Sequence, residues 1–169
     1  MNIKRSFNRA CIAIDAFVHA CKNHKKKRNA NTKVILIVFQ QIFGDAVVIQ
    51  NSLEEYVKLF PKTKGYSLKF LARKSIISFM KSTLQICDEL EFEEVDFKRF
   101  LEDYKYYKKV QRTYKNVADI LIVPGTSLSA EIFCAACDAG RKIGLVRSID
   151  VDKQLAMAVF SRIAYTEIV

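Results

Sequence analysis

Apolar residues recur along this chain in two different periods. Residues 33 to 39, "KVILIVF", are apolar almost without interruption, as in a strand covered on both faces by helices. From residue 45 to 60, Val47, Val48, Leu53, Val57 and Phe60 return at helical spacing, and Pro61 with Gly65 ends that segment. "YSLKFLAR" then predicts a second strand, "KSIISFMKS" a short helix and "DELEFEEV" a weaker strand. "DFKRFLEDYKYYKKVQRTYKN" predicts one long, charged surface helix, and "ADILIVP" another fully buried strand. "GTSLSAEIFCAACDAG" reads as a loop and a helix with Gly140 near its C-terminal end, and "KIGLV" as a further strand. Strands alternating with helices predict an α/β fold, a Rossmann-like open parallel sheet with helices on both faces and right-handed crossovers.

The first residues follow another pattern. Ile3, Phe7, Ala10, Cys11, Ile14, Phe17, Val18 and Cys21 fall on one stripe of a helix, with Lys4, Arg5, Arg9 and Lys22 outside it. The run "KNHKKKRNANTK" that follows reads as a solvated linker. The expected division is therefore a basic amphipathic helix and linker over 1–32 and a Rossmann-like domain over 33–169.

Charge sharpens that division. Residues 1 to 33 hold nine Lys or Arg against the single Asp15, so +8 of the chain's net +10 lies there. The excess belongs to the N-terminal segment and not to the body. The uncharged run from Ala10 to Ile14 is far short of the ~20 apolar residues that span a bilayer. Such a helix either lies in the interface of an anionic membrane or docks its stripe on the protein's own body. Nucleic acid is not expected as a partner, because the body has neither a basic recognition motif nor an aromatic stacking platform. The tyrosines of "YKYYKK" fit the amphipathic stem of a surface helix.

The five cysteines show no disulfide frame, and the N-terminus does not resemble a cleavable signal, which suggests reduced thiols in a cytoplasmic protein. Cys134 and Cys137 form a C-x-x-C, but a structural zinc needs four ligands and no second pair accompanies them. They read as small apolar residues of a buried helix, and neither a metal nor a cofactor is expected.

In open parallel sheets, ligands sit beyond the carboxyl ends of the strands. Two loops stand out there, "QQIFGDA" and "PGTSLSA". Each joins a glycine to small or polar residues at a helix N-terminus, where free N–H groups can bind an anion or a sugar oxygen. Neither matches a dinucleotide-binding or P-loop pattern. On residue type alone, Asp45 reads as a helix cap.

The order strand, "GDAVVIQNSLEEYVKLFP", strand "LKFLAR", long helix, "ADILIVPGTSLSAEIFCAACDAGRKIGLVRS" resembles the N-terminal half of glycosyltransferase family 9, the heptosyltransferase family of lipopolysaccharide assembly. Asp119, Gly125, Ser129, Ala130, Gly140, Ile143 and Gly144 fall into the family's second frame, and the resemblance covers residues 33 to 169. It implies a GT-B architecture, with the acceptor bound on the first of two Rossmann-like domains and a nucleotide-sugar donor on the second. The acceptor is then a glycan or glycolipid of the cell surface, and the setting cytoplasmic, peripheral on the inner face of the membrane. Transfer is inverting and metal-independent, with Asp45 as the base that deprotonates the acceptor hydroxyl. Gly44, Gly125, Thr126, Ser127 and Ser129 are the expected acceptor-binding residues.

Phe43, Gln50 and Pro124 depart from the family's usual residues, so acceptor contacts in these loops differ from its pattern. Arg73, Lys74, Arg141, Lys142 and Arg147 lie near predicted strand ends, where they either meet an anionic acceptor or serve as plain surface. Family members are about twice this long, as two domains require. The expectation is a chain without its donor half, inactive alone, with the apolar segment of Leu155, Met157, Ala158, Val159, Phe160 and Ile163 open to self-association. The alternative is a non-catalytic α/β binding module with a membrane-associating helix.

Overall fold

The computed structural model describes residues 3–23, 33–125, 127–144 and 164–168. Among them, all strands pair parallel in the order β3-β2-β1-β4-β5-β6. The strands are β1 (Lys33–Val38), β2 (Tyr66–Ala72), β3 (Leu90–Glu94), β4 (Ala118–Val123), β5 (Ala139–Gly144) and the two-residue edge β6 (Glu167–Ile168). The helices are α1 (Ile3–Asn23), α2 (Phe43–Leu59), α3 (Lys74–Thr83), α4 (Phe97–Glu102), α5 (Tyr104–Tyr114) and α6 (Leu128–Ala136).

The alternation of the strands explains the two layers. Leu36 and Val38 of β1 enter one core cluster, with Leu121, Val123 and residues of α1, α4, α5 and α6. Ile35 and Ile37 enter the other, with Ile122 and residues of α2 and α3. A strand buried on both faces gains about 1.5–3 kcal/mol for each large side chain taken from water, so "KVILIV" has no polar face to turn outward. The α/β expectation, an open parallel sheet with helices on both sides, is what the molecule adopts.

Four local expectations are corrected. The long helix after β3 is two helices. Asp103 is extended (φ −121°, ψ 105°), and its carboxylate accepts from the N–H groups of Lys105 and Tyr106, ending α4 and starting α5 in one residue. Nor is that segment a plain surface element, since Phe97, Phe100, Tyr107, Val110 and Tyr114 are buried. Gly140 lies in β5 and not at the end of α6, since β5 pairs with β4 from Ala139 onward, and a Cβ at Gly140 would stand 3.0 Å from the Asp119 carbonyl of that neighbouring strand. On α2 the buried face is Ala46, Ile49 and Leu53, leaving Val47 and Val48 55% and 74% exposed.

The fourth correction concerns α1. Its buried stripe is Ile12, Ala16 and Ala20, and not the bulky set led by Phe7 and Ile14. Polar side chains on the docked side set this rotation. The Asn8 amide donates to the Glu102 carbonyl, Arg9 pairs with the Glu102 carboxylate, and His19 lies 2.9 Å from Asp138. Asp15 accepts from the Tyr107 hydroxyl (2.7 Å) and the Lys108 ammonium (2.8 Å). The small side chains of Ala16 and Ala20 let α1 come close to α6, so the helix docks on the body. The linker over 24–32, Arg147 and the apolar segment over 155–163 lie outside the described residues.

Candidate functional site

The strand order reverses between β1 and β4, and the crevice outside their carboxyl ends is where open α/β sheets hold ligands. Residues 39–42 leave β1 there, and Pro124, Gly125 and Ser127 follow β4, so the fold brings together the two loops singled out in the sequence.

One side chain ties them. The Gln40 Oε1 accepts from the Ser127 hydroxyl at 2.9 Å and also from the Ser129 hydroxyl. Ser127 in turn accepts from the Ala130 N–H at 3.1 Å and so caps α6. That leaves the Gln40 Nε2 buried without a hydrogen-bond partner among the described residues. A buried amide N–H₂ without an acceptor is costly, and an acceptor oxygen of a ligand would relieve it. Gly125 completes the loop at φ +146°, where a Cβ would collide with the Gln41 amide. That backbone is open only to glycine at acceptable strain. Thr126 lies outside the described residues.

Across the crevice, α2 begins with Phe43, Gly44 and Asp45. Its capping position is held by Ile42, which offers no side-chain bond, so the cap that residue type suggests for Asp45 is not formed. Asp45 instead occupies the first turn with its side chain exposed, where the helix dipole favours a carboxylate. A Cβ on Gly44 would meet nothing within 4 Å, so the backbone beside Asp45 opens to solvent. Gln50, one turn further on, is held by the Thr83 hydroxyl of α3 and turned away from the crevice loops.

The basic residues divide. Arg73 follows β2, and its guanidinium stacks over the Phe43 ring at 5.7 Å. Beside it, Arg73, Lys74, Ser75, Ser78, Glu94 and Asp96 line an open depression of about 550 Å³. Arg141 and Lys142 lie within β5 instead. Arg141 forms a two-pronged surface pair with Glu167, and the buried Lys142 donates to the Cys134 carbonyl and so does not face an acceptor. Ile42, Phe43, Val47, Val48 and Leu128, on the two helices that start beside the crevice and the turn before one of them, are exposed apolar side chains.

Cys134 and Cys137 are free thiols in the core. Burial pushes Cys134 up to about 12 and Cys137 higher still, so both stay protonated and neither serves as a nucleophile or a ready metal ligand. No cluster of His, Cys, Asp or Glu able to hold a metal occurs among the described residues.

The sequence reading missed Gln40. Its signal was position alone, a polar pair "QQ" directly after a buried strand. Its role emerges only when β4 is placed beside β1.

Fold and crevice define a Rossmann-like α/β unit with a polar switch-point site. A solved structure described as the glycosyl transferase family 9 from Veillonella parvula DSM 2008 has the same fold, with a TM-score of 0.56 at 14% sequence identity. The likeness covers 85% of this chain and 38% of that one. No family model matches the chain, and no curated protein matches it.

Proposed function

We propose that this chain is the acceptor-binding half of a two-domain, GT-B glycosyltransferase that moves a heptose-like sugar from a nucleotide-sugar to a lipopolysaccharide or other cell-surface glycan. The observation that carries this reading is the meeting of "QQIFGDA" and "PGTSLSA" at the switch point, tied through Gln40 to Ser127 and Ser129.

Asp45 acts as general base. Its carboxylate takes the proton of an acceptor hydroxyl as that oxygen attacks the anomeric carbon, and the bond from that carbon to the diphosphate oxygen breaks with inversion. A positioned base of this kind contributes about 10²–10⁴-fold. The exposed side chain and the open backbone at Gly44 leave room for a sugar ring. Gly44, Gly125, Thr126, Ser127 and Ser129 hold the acceptor, with the free amide N–H of Gln40 as a donor to a sugar oxygen. Arg73 and Lys74 meet acidic substituents on it.

The donor binds on a second half, and the apolar rim of Ile42, Phe43, Val47 and Val48 is where that half closes. Without it the chain binds acceptor but does not turn over. A glycolipid acceptor puts the working place at the inner face of the cytoplasmic membrane.

The test joins the chain to its donor half and follows sugar transfer. Asp45→Asn is expected to lower kcat by about 10²-fold or more while acceptor KM holds. Undiminished turnover would remove Asp45 from the mechanism. A second reading, a non-catalytic binding module, is favoured by the outward face of α1. It predicts acceptor-independent binding and no transfer in any context.

A further inference from the structure

We infer that the outward side of α1 and the basic side of α5 form one docking surface for an anionic lipid bilayer. The helix α1 has two apolar sides. Ile12, Ala16 and Ala20 face the body, while Phe7 and Ile14 are 67% and 64% exposed on the opposite side, with Ala10, Val18 and Cys21 exposed beside them.

The charge around this stripe has one sign. Lys4 and Lys22 border it on α1, and Lys105, Lys109, Arg112 and Lys115 are exposed along α5 and just after it. The only carboxylate of α1, Asp15, is part-exposed between the two helices and neutralised there by Lys108, and no acidic residue occurs from Tyr104 to Lys115. Stripe and basic side join without a break. Val18, His19, Lys22, Arg112 and Lys115 line one pocket of about 340 Å³ between α1 and α5, together with the Asp15 carboxylate, which is already bound there by Lys108 and Gln111, so Lys22, Arg112 and Lys115 are the cations left to meet a phosphate headgroup.

The occupant follows from the combination. A second copy presenting the same surface would bring basic side chains against basic side chains. A nucleic acid would meet the charge but leave Phe7 and Ile14 without an apolar counterpart. A bilayer with anionic headgroups satisfies both parts at once, with α1 lying in the interface plane. No helix among the described residues is long and apolar enough to cross it. The inference supplies the surface that the peripheral location under the proposed function needs, and it is independent of the transfer chemistry.

The full chain is floated with vesicles of phosphatidylcholine alone or in equal parts with phosphatidylglycerol. Binding to the anionic vesicles alone is expected, weakened by raised salt. A triple variant F7S/I14S/V18S and a triple variant K105E/K109E/R112E, each with unchanged circular dichroism and Tm, are each expected to weaken binding about tenfold or more, and Asp45→Asn is expected to leave it unchanged. Undiminished vesicle binding by either triple variant overturns the proposal. So does a dimer that these substitutions dissolve, or an oligonucleotide bound more tightly than the anionic vesicles.

Discussion

At the scale of single residues, Gln40 carries more of the site than its type suggests. It accepts two serine hydroxyls and keeps two N–H donors buried, so it joins the loops and is poised to bind an oxygen. Gln40→Ala is expected to cost the fold only about 1 kcal/mol, since Ser127 still caps α6. Acceptor affinity, read by titration of the full chain, is expected to fall further than that stability loss accounts for. Gly125→Ala separates backbone from side chain. The forced φ and the clash with Gln41 predict a loss of about 1–3 kcal/mol in denaturant unfolding, together with displacement of the Gln40 contacts. A variant as stable as the natural chain would mean that the loop can take another path.

At the scale of elements, polar side chains decide what hydrophobic periodicity leaves open. The strands were legible because β1 and β4 are short runs rich in Ile and Val that are buried toward both layers, whereas the equally buried α6 is longer and built on Ala and Cys. The break between α4 and α5 was not, because it depends on Asp103 turning its carboxylate to two N–H groups, whereas the apolar spacing runs through without interruption. Asp103→Ala is therefore expected to cost about 1 kcal/mol and to fray the start of α5 in hydrogen exchange. The facing of α1 was illegible for a related reason. Its bulkiest apolar residues point away from the body, and Asn8, Arg9, Asp15 and His19 anchor the other side.

Asp15 gives this anchoring a pH dependence. Burial alone would raise its pKa, but the bonds from Lys108, Tyr107 and Gln111 outweigh that and hold it below the ordinary 3.8. A depressed carboxylate contributes stability that is present above its unfolded value and lost as pH falls through the folded one. The α1 anchorage is thus expected to persist at neutral pH and weaken in acid below the usual aspartate range. Asp15→Asn is expected to be less stable at pH 7 and to lose less on acidification, read by urea unfolding across that range.

At the scale of the whole molecule, the described helices divide between the two faces of the sheet. One carries α2 and α3, while the other carries α1, α4, α5 and α6 around Phe133, whose ring meets those of Phe97, Phe100 and Tyr114 at 5.5 to 6.1 Å. Phe133→Ala is expected to cost about 3–5 kcal/mol. Since that cluster also seats α1, its amides are expected to lose protection with the core and not with the crevice. The crevice lies at the carboxyl ends of the strands, and the class of ligand it takes was legible only in outline. The loops could be named from glycines and serines, but their meeting depends on the parallel register of Ile35 with Ile120 and of Ile37 with Ile122.

The docking of α1 also has a consequence in time. Its anchors lie 93 to 119 residues further along the chain, at Glu102, Lys108 and Asp138. At a synthesis rate of about 5–20 residues per second, the helix leaves the ribosome roughly 6–24 s before its last anchor exists. A segment made before its anchors is thus among the last to be seated. Through that interval both of its apolar sides, Ile12, Ala16 and Ala20 as well as Phe7 and Ile14, are without the body that later covers the first of them.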